Sequence, residues 1–212
     1  MLEGFSNPLN DYLEATASPE PDYLRQIRAE TTEQVHSPHM LSGHHQGRLL
    51  ALISKLLRPK TILEIGTYTG YSALCLAEGL VEEGQLVTIE KDSNLSERIL
   101  RNINLSPFAS RIKLLNGDAH QVLAGLDLQP DLVFIDADKR GYSRYFEALV
   151  PRMPSGGVLL ADNVLWSGMV LDPGEDKKAL ALHHFNEQVA KDARVEAVIL
   201  PIRDGLTLIR KK

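Results

Sequence analysis

Cysteine occurs once in the 212 residues, so an internal disulfide is excluded. Cys75 stands among Ala73, Leu74, Leu76 and Ala77, the setting of a small buried apolar side chain, and suits a reducing cytoplasm. No apolar run approaches the length of a bilayer crossing, and residues 1–10 lack a basic stretch followed by an apolar one. The expectation is a chain that is neither secreted nor membrane-spanning. Positive charge is in deficit: the formal net charge is -5, which offers no general attraction for a phosphate backbone or an anionic membrane. Internal repeats and low-complexity runs are missing, and the basic end Arg210, Lys211 and Lys212 is too short to mean more than a solvated terminus.

What is present, 43% hydrophobic and 24% charged residues, fits one globular domain with a sizeable core. The first forty residues look helical but are charged and interrupted by Ser18-Pro19 and Pro21, which predicts short helices over the main body. Residues 43–57 carry Leu49, Leu50, Ile53, Leu56 and Leu57 at helical spacing, and Pro59 ends that helix. Short apolar runs then alternate with helical stretches. Residues 61–65, 86–90, 112–115, 132–136 and 158–161 read as strands, and 71–80, 95–105 and 142–150 as crossovers. Consecutively apolar strands separated by helices imply a parallel sheet covered on both faces. Runs 195–200 and 206–210 are joined by five residues, which permits only an antiparallel pair. The predicted class is therefore α/β: a doubly wound, mainly parallel sheet of seven strands with an antiparallel C-terminal edge pair.

Four predicted strands end in or run into a carboxylate, Glu64, Glu90, Asp136 and Asp162, and Asn163 adds an amide beside the last. Any one of them alone reads equally well as a helix cap; together they mark one edge of the sheet as a ligand site. After the first strand, Gly66 and Gly70 allow a tight turn, and the following helix start offers free N–H groups. Glu90 is placed to accept from ribose hydroxyls, which points to an adenosine-containing ligand. A dinucleotide site needs a second glycine where Tyr68 stands, so a ligand without pyrophosphate fits better. S-adenosylmethionine satisfies that requirement, with Ser72 near its amino-acid end and Glu90 on its ribose. Gly117-Asp118-Ala119 falls where adenine would lie, or is a plain turn. Asp136, Asp162 and Asn163 make a hard oxygen set suited to Mg²⁺.

These segments, Ile62-Leu63-Glu64-Ile65-Gly66-Thr67-Tyr68-Thr69-Gly70-Tyr71-Ser72, Phe134-Ile135-Asp136-Ala137-Asp138-Lys139, Gly156-Gly157-Val158 and Ala161-Asp162-Asn163-Val164-Leu165-Trp166-Ser167-Gly168, resemble the metal-dependent O-methyltransferases of the catechol and caffeoyl-coenzyme A type. The resemblance runs from about Met40 to the C-terminus. It implies a Rossmann-like methyltransferase fold over residues 1–212, with 1–40 a helical cap and dimer segment. It implies Asp136, Asp162 and Asn163 as ligands of Mg²⁺ or of another divalent cation such as Ca²⁺ or Mn²⁺, and Lys139 as general base. Donor contacts carry over to Met40, Ser42, Glu64, Gly66, Ser72, Glu90 and Ala119, with Asp136 bordering donor and metal alike. The implied acceptor is a catechol-like small molecule, and the implied assembly a homodimer.

For its task Lys139 must fall below the ordinary lysine pKa of about 10.4, a shift that the neighbouring cation and partial burial would produce together. Trp166 walls the acceptor pocket or packs in the core, and Asp138 caps a helix or adds a polar contact. Val198 stands where animal catechol enzymes have a glutamate near the second acceptor oxygen. The pairs His44-His45 and His183-His184 lack zinc spacing. Three rival readings remain. One is an RNA methyltransferase acting on a hydroxylated base, with Arg25, Arg28, Arg48, Arg101 and Arg111 as its approach surface. The others are a nicotinamide-dependent dehydrogenase and a non-catalytic adenosine-binding protein.

Overall fold

Five of the apolar runs form parallel strands in the computed structural model, which describes residues 7–212; residues 1–6 of the N-terminal cap lie outside the described residues. They are β1 (Thr61–Ile65), β2 (Gln85–Glu90), β3 (Ile112–Asn116), β4 (Leu132–Ile135) and β5 (Val158–Asp162). The hairpin strands β6 (Val195–Leu200) and β7 (Leu206–Lys211) complete a sheet of order β3-β2-β1-β4-β5-β7-β6. Strand β7 is antiparallel to both β5 and β6, which leaves β6 at the edge. Asp136, predicted as the end of its strand, falls one residue beyond β4, whereas Asp162 stays in the ladder opposite Leu206.

Side-chain alternation divides the core into two layers. On one face Leu63, Ile65, Val87, Ile89, Val133, Ile135, Leu159 and Ala161 pack under α6 (Ala119–Gly125), α7 (Tyr142–Leu149) and α8 (Lys177–Lys191). On the other, Ile62, Leu86, Leu132, Phe134, Val158 and Leu160 pack under α2 (Asp22–Gln34), α3 (Gly43–Leu57) and α4 (Tyr71–Ala77). Glu64, Glu90 and Asp162 continue this second series at steps of two, and Asp136 continues it past the end of β4. The period of the strand thus delivers all four acids to the α2–α3–α4 face at the carboxyl ends of the strands.

The chain enters through α1 (Asn7–Thr16) and α2, separated by the predicted break at Pro19 and Pro21. Buried Glu20 fastens α2 to α4: it pairs with Arg28 at 2.6 Å and accepts from the Tyr71 hydroxyl at 2.6 Å. The predicted crossover at 95–105 is α5 (Ser96–Asn104), and helices α6 and α8 add to the three crossovers named from the sequence. The start of α8 is fixed by Asp176, whose side chain accepts from Lys178 and Ala179 N–H groups at 2.9 and 2.7 Å. Among the described residues no helix is long and apolar enough to cross a membrane.

Strand β1 pairs with β2 on one side and β4 on the other, so the strand order reverses between β1 and β4. Gly66 sits at that reversal with φ 95°, and a Cβ there would lie 2.0 Å from the Asp136 carbonyl oxygen. Backbone conformation and contact both demand glycine. Gly66→Ala should lower unfolding free energy by about 2 kcal/mol or more in urea titrations; an unchanged midpoint would contradict this account of the loop.

Candidate active site

At the carboxyl ends of the strands the structure opens a cleft of 2190 Å³, bordered by the loops after β1, β2, β3, β4 and β5 and by the turn between β6 and β7. A single small ligand typically fills about 300–1,000 Å³, so two ligands have room side by side. Met40, Ser42, Gly66, Ser72, Glu90, Ala119, Asp136, Lys139, Asp162 and Asn163 all line it. Glu64 is the exception among the predicted site residues, because it is fully buried below the cleft.

On the β1–β2 side the glycine loop is held from beneath by Glu90. Its Oε2 accepts from Thr67 N at 3.1 Å and Tyr68 N at 2.8 Å, and its Oε1 accepts from Asp92 N at 2.9 Å. The predicted ribose acceptor therefore also shapes the loop, with lone pairs left over on both oxygens. Tyr68 takes a left-handed conformation, φ 52°, at the position where a dinucleotide loop has glycine. Its phenol donates to the carbonyls of His36 and Ser37 at 3.0 and 3.2 Å, tying the N-terminal cap to the loop. Glu64 Oε2 accepts from the Thr88 hydroxyl at 2.5 Å, while Oε1 has no hydrogen-bond partner among the described residues. Burial pushes the Glu64 carboxyl up to about 8; the Ser72 and Thr88 hydroxyls oppose that shift, and the charges of Asp136 and Glu90 add to it. Asp118 caps α6 by accepting from His120 N at 3.1 Å, which places Gly117, Asp118 and Ala119 in a turn on the cleft wall.

On the β4–β5 side the acids converge. Lys139 Nζ donates to Asp136 Oδ1 at 2.8 Å and Asn163 Oδ1 at 2.9 Å, and to the Tyr142 hydroxyl oxygen at 2.7 Å. That hydroxyl in turn lies 2.9 Å from the Asp162 carbonyl. Asn163 reaches this position through a left-handed backbone, φ 58°. Asp162 is buried, accepting from Gln46 Nε2 at 2.7 Å and Asn163 N at 2.9 Å. Burial, with the like charge of Asp136, pushes its carboxyl up to about 6. In this arrangement the Lys139 ammonium itself fills the point between Asp136 and Asn163, and its pKa does not fall. Burial does oppose the charge, but the Tyr142 oxygen and the Asp136 carboxylate outweigh it and raise the pKa.

A family model described as O-methyltransferase matches residues 14–212. The chain belongs to the O-methyltransferase family. It is 35% identical to a caffeoyl-CoA O-methyltransferase of Populus kitakamiensis, over 97% of this chain and 94% of that one. It is 36% identical to the catechol O-methyltransferase domain-containing protein 1 of Mus musculus, over 100% and 82%. The crystal structure of the O-methyltransferase TomG from Streptomyces achromogenes, involved in tomaymycin synthesis and solved in complex with SAM, superposes with a TM-score of 0.90 at 30% identity, covering 97% of this chain and 96% of that one. The fold is that of the S-adenosylmethionine-dependent methyltransferases, and this O-methyltransferase is of that class.

The donor set of the methyltransferase fits a hard cation. Two oxygens, from Asp136 and Asn163, already converge on a single positive charge, and the carboxylate of Asp162 is buried beside them. Among the described residues no group of three or more His, Cys, Asp or Glu side chains could hold a metal ion; the oxygen set here is two carboxylates and the Asn163 amide. One histidine of each pair is engaged otherwise: His44 contacts the Ser18 carbonyl at 2.8 Å and His183 that of Val170 at 2.9 Å. Asp138 caps the short turn Lys139–Gly141. Trp166 combines the two roles left open for it, lining the cleft while packing against the core. Val198 does not line the cleft.

Tyr142, Gln46 and Arg203 were not legible in the sequence as site residues. The aromatic three positions after Lys139 is a usable signal for Tyr142; the other two have none. Four of the five arginines considered for an RNA surface are paired with acids, Arg25 with Asp22, Arg28 with Glu20, Arg48 with Glu78 and Arg101 with Glu30. Arg111 donates to the Val81 carbonyl at 3.0 Å.

Glu64 makes stability depend on pH. Its folded pKa of about 8 lies above the ordinary 4.5, so its contribution is complete below pH 4.5 and is lost as pH climbs towards 8. In the ligand-free protein this amounts to a decline on the order of 1 kcal/mol per pH unit across that window. Urea unfolding at pH 5 and pH 8 should show Glu64→Gln losing less stability than wild type; parallel losses would refute the assignment.

Proposed function

We propose that the protein transfers the methyl of S-adenosylmethionine to one hydroxyl of a vicinal, catechol-like diol, with a divalent cation held by Asp136, Asp162 and Asn163. The observation that carries this reading is the convergence of Asp136 and Asn163 on one cationic point, beside buried Asp162 and in the same cleft as the Gly66 loop. Mg²⁺, or Mn²⁺ or Ca²⁺ in its place, would supply Lewis acidity that makes a bound hydroxyl easier to ionise.

The chain's own residues account for the rest. Glu90, with spare lone pairs after holding the loop, accepts from the donor's ribose, and the turn at Gly117 to Ala119 borders its adenine. Ser72 and Gly66 border the amino-acid end, with Met40 and Ser42 on the opposite wall. Glu64 Oε1, unpartnered below the loop, is the acceptor available to the donor's ammonium. Released from Asp136 and Asn163, the Lys139 side chain keeps its burial, which disfavours the ammonium form. The free amine takes the hydroxyl proton; the oxygen then attacks the methyl carbon as the carbon–sulfur bond breaks, leaving neutral S-adenosylhomocysteine. Half-buried Trp166 and the Lys178 ammonium, 5.2 Å from its ring centre, border the acceptor side. We place residues 7–40 as a cover and as the contact between two copies, and the activity in the cytoplasm. A hydroxylated RNA base as acceptor draws no support from the paired arginines.

Incubation with S-adenosylmethionine, Mg²⁺ and a panel of vicinal diphenols, followed by mass spectrometry, should yield a monomethylated product that a chelator abolishes. Product formation indifferent to chelator would overturn the cation's role. Lys139→Ala should bind donor like wild type and lose about 10²–10⁴ in turnover; parallel loss of binding and turnover would remove Lys139 as the base.

A further inference from the structure

Gln46, on the first turn of α3, is buried with its amide between two charged groups. Nε2 donates to Asp162 Oδ2 at 2.7 Å, and Oε1 accepts from Arg203 Nη1 at 3.0 Å. A guanidinium can only donate, so Arg203 turns the amide oxygen towards itself and the NH₂ group onto the carboxylate. The same guanidinium donates to the Ser42 carbonyl at 2.6 Å and the His39 carbonyl at 3.3 Å. One side chain thereby grips the residue that holds Asp162 and the segment 39–42 that lines the cleft.

Arg203 itself is placed by the turn between β6 and β7, where it adopts φ 49°. That conformation is unfavourable for arginine and persists only where the surroundings enforce it. Here the turn is seated on the segment following β5. Val164 N donates to the Gly205 carbonyl at 3.1 Å, Leu165 N to the Asp204 carbonyl at 2.9 Å, and Ser167 N to Asp204 Oδ1 at 2.6 Å. Gly205 approaches Leu165 so closely that a Cβ would fall 2.5 Å from its Cγ. The turn is fixed to the backbone that carries Asn163, and Arg203 extends from it to α3.

We propose that Arg203, acting through Gln46, is a positioning residue that sets the Asp162 carboxylate and fastens residues 39–42, so that cation and donor binding are energetically coupled. This rests on Asp162 being a cation ligand and on residues 39–42 meeting the donor. Without the guanidinium the Gln46 side chain loses its second anchor and is free to swing its NH₂ group away from Asp162, and residues 39–42 lose two anchored carbonyls.

The test uses Mn²⁺ and S-adenosylhomocysteine as probes, each titrated alone and with the other saturating, by electron paramagnetic resonance and calorimetry. Wild type should show reciprocal tightening of about fivefold or more. Arg203→Met should weaken Mn²⁺ by about tenfold to hundredfold, weaken S-adenosylhomocysteine, and bring the coupling close to one. Gln46→Leu should weaken Mn²⁺ comparably but leave S-adenosylhomocysteine alone nearly unchanged, because Arg203 still holds Ser42 and His39; general loss of structure would not give that split. Arg203→Lys, which can hold one carbonyl, should fall between. A folded Arg203→Met protein with wild-type affinity for both probes overturns the proposal, and if that variant does not fold, undiminished Mn²⁺ binding by Gln46→Leu does so. Wild type that binds S-adenosylhomocysteine but no Mn²⁺ defeats the cation reading and the coupling together, an outcome distinct from failure of the clamp alone.

Discussion

Carboxylates crowded on one face of a sheet, at its carboxyl edge, have to be neutralised or hydrogen-bonded, and the cleft is organised around that requirement. An unpaired buried charge is among the most costly features a fold can hold. Each acid meets the demand differently. Glu90 draws backbone N–H groups from the glycine loop and from Asp92. Glu64 is pushed towards its protonated form. Asp162 takes an amide donor from Gln46, and Asp136 an ammonium from Lys139. These responses bring loop, helix and C-terminal turn together over the edge of the sheet.

The acids share a face because a strand alternates with period two and because the parallel ladders keep equivalent positions level. Apolar residues two positions earlier in the same series, Ile62, Phe134 and Leu160, belong to the layer under α2, α3 and α4. The side chains that make the core also aim the polar ends into the cleft. The close approach of Gly66 to the Asp136 carbonyl joins the donor loop to the acceptor corner at the reversal of strand order. Ligand contacts on the two sides are consequently neighbours across one pair of strands.

Much of this was legible in the sequence because it is local. Consecutive apolar residues located all seven strands to within one residue at either end, and Pro19, Pro21 and Pro59 located the helix breaks. The acids at the strand ends marked the cleft without any knowledge of pairing. Helix α8 was left without bounds although Ala179, Leu182, Phe185 and Val189 recur at helical spacing. Contacts between distant parts of the chain were not legible: Gln46 and Arg203 are 157 positions apart, and nothing in either segment announces the other. The partners of Lys139 were not legible for the same reason. Burial alone lowers a lysine pKa, but the Tyr142 oxygen and Asp136 reverse the balance, and how closely they approach the ammonium is set by the folded geometry. That Glu64 is fully buried beneath the loop was likewise not legible in the motif.

The account depends on whether the point now held by the Lys139 ammonium is a cation site. The most direct measurement is a crystal structure of the protein grown with Mn²⁺ and S-adenosylhomocysteine, with anomalous scattering used to locate manganese. The account predicts an anomalous peak bonded to oxygens of Asp136, Asp162 and Asn163, with Lys139 Nζ displaced from Asp136 and Asn163. S-adenosylhomocysteine bound beside an undisturbed Lys139–Asp136–Asn163 cluster, with no manganese there, would contradict it.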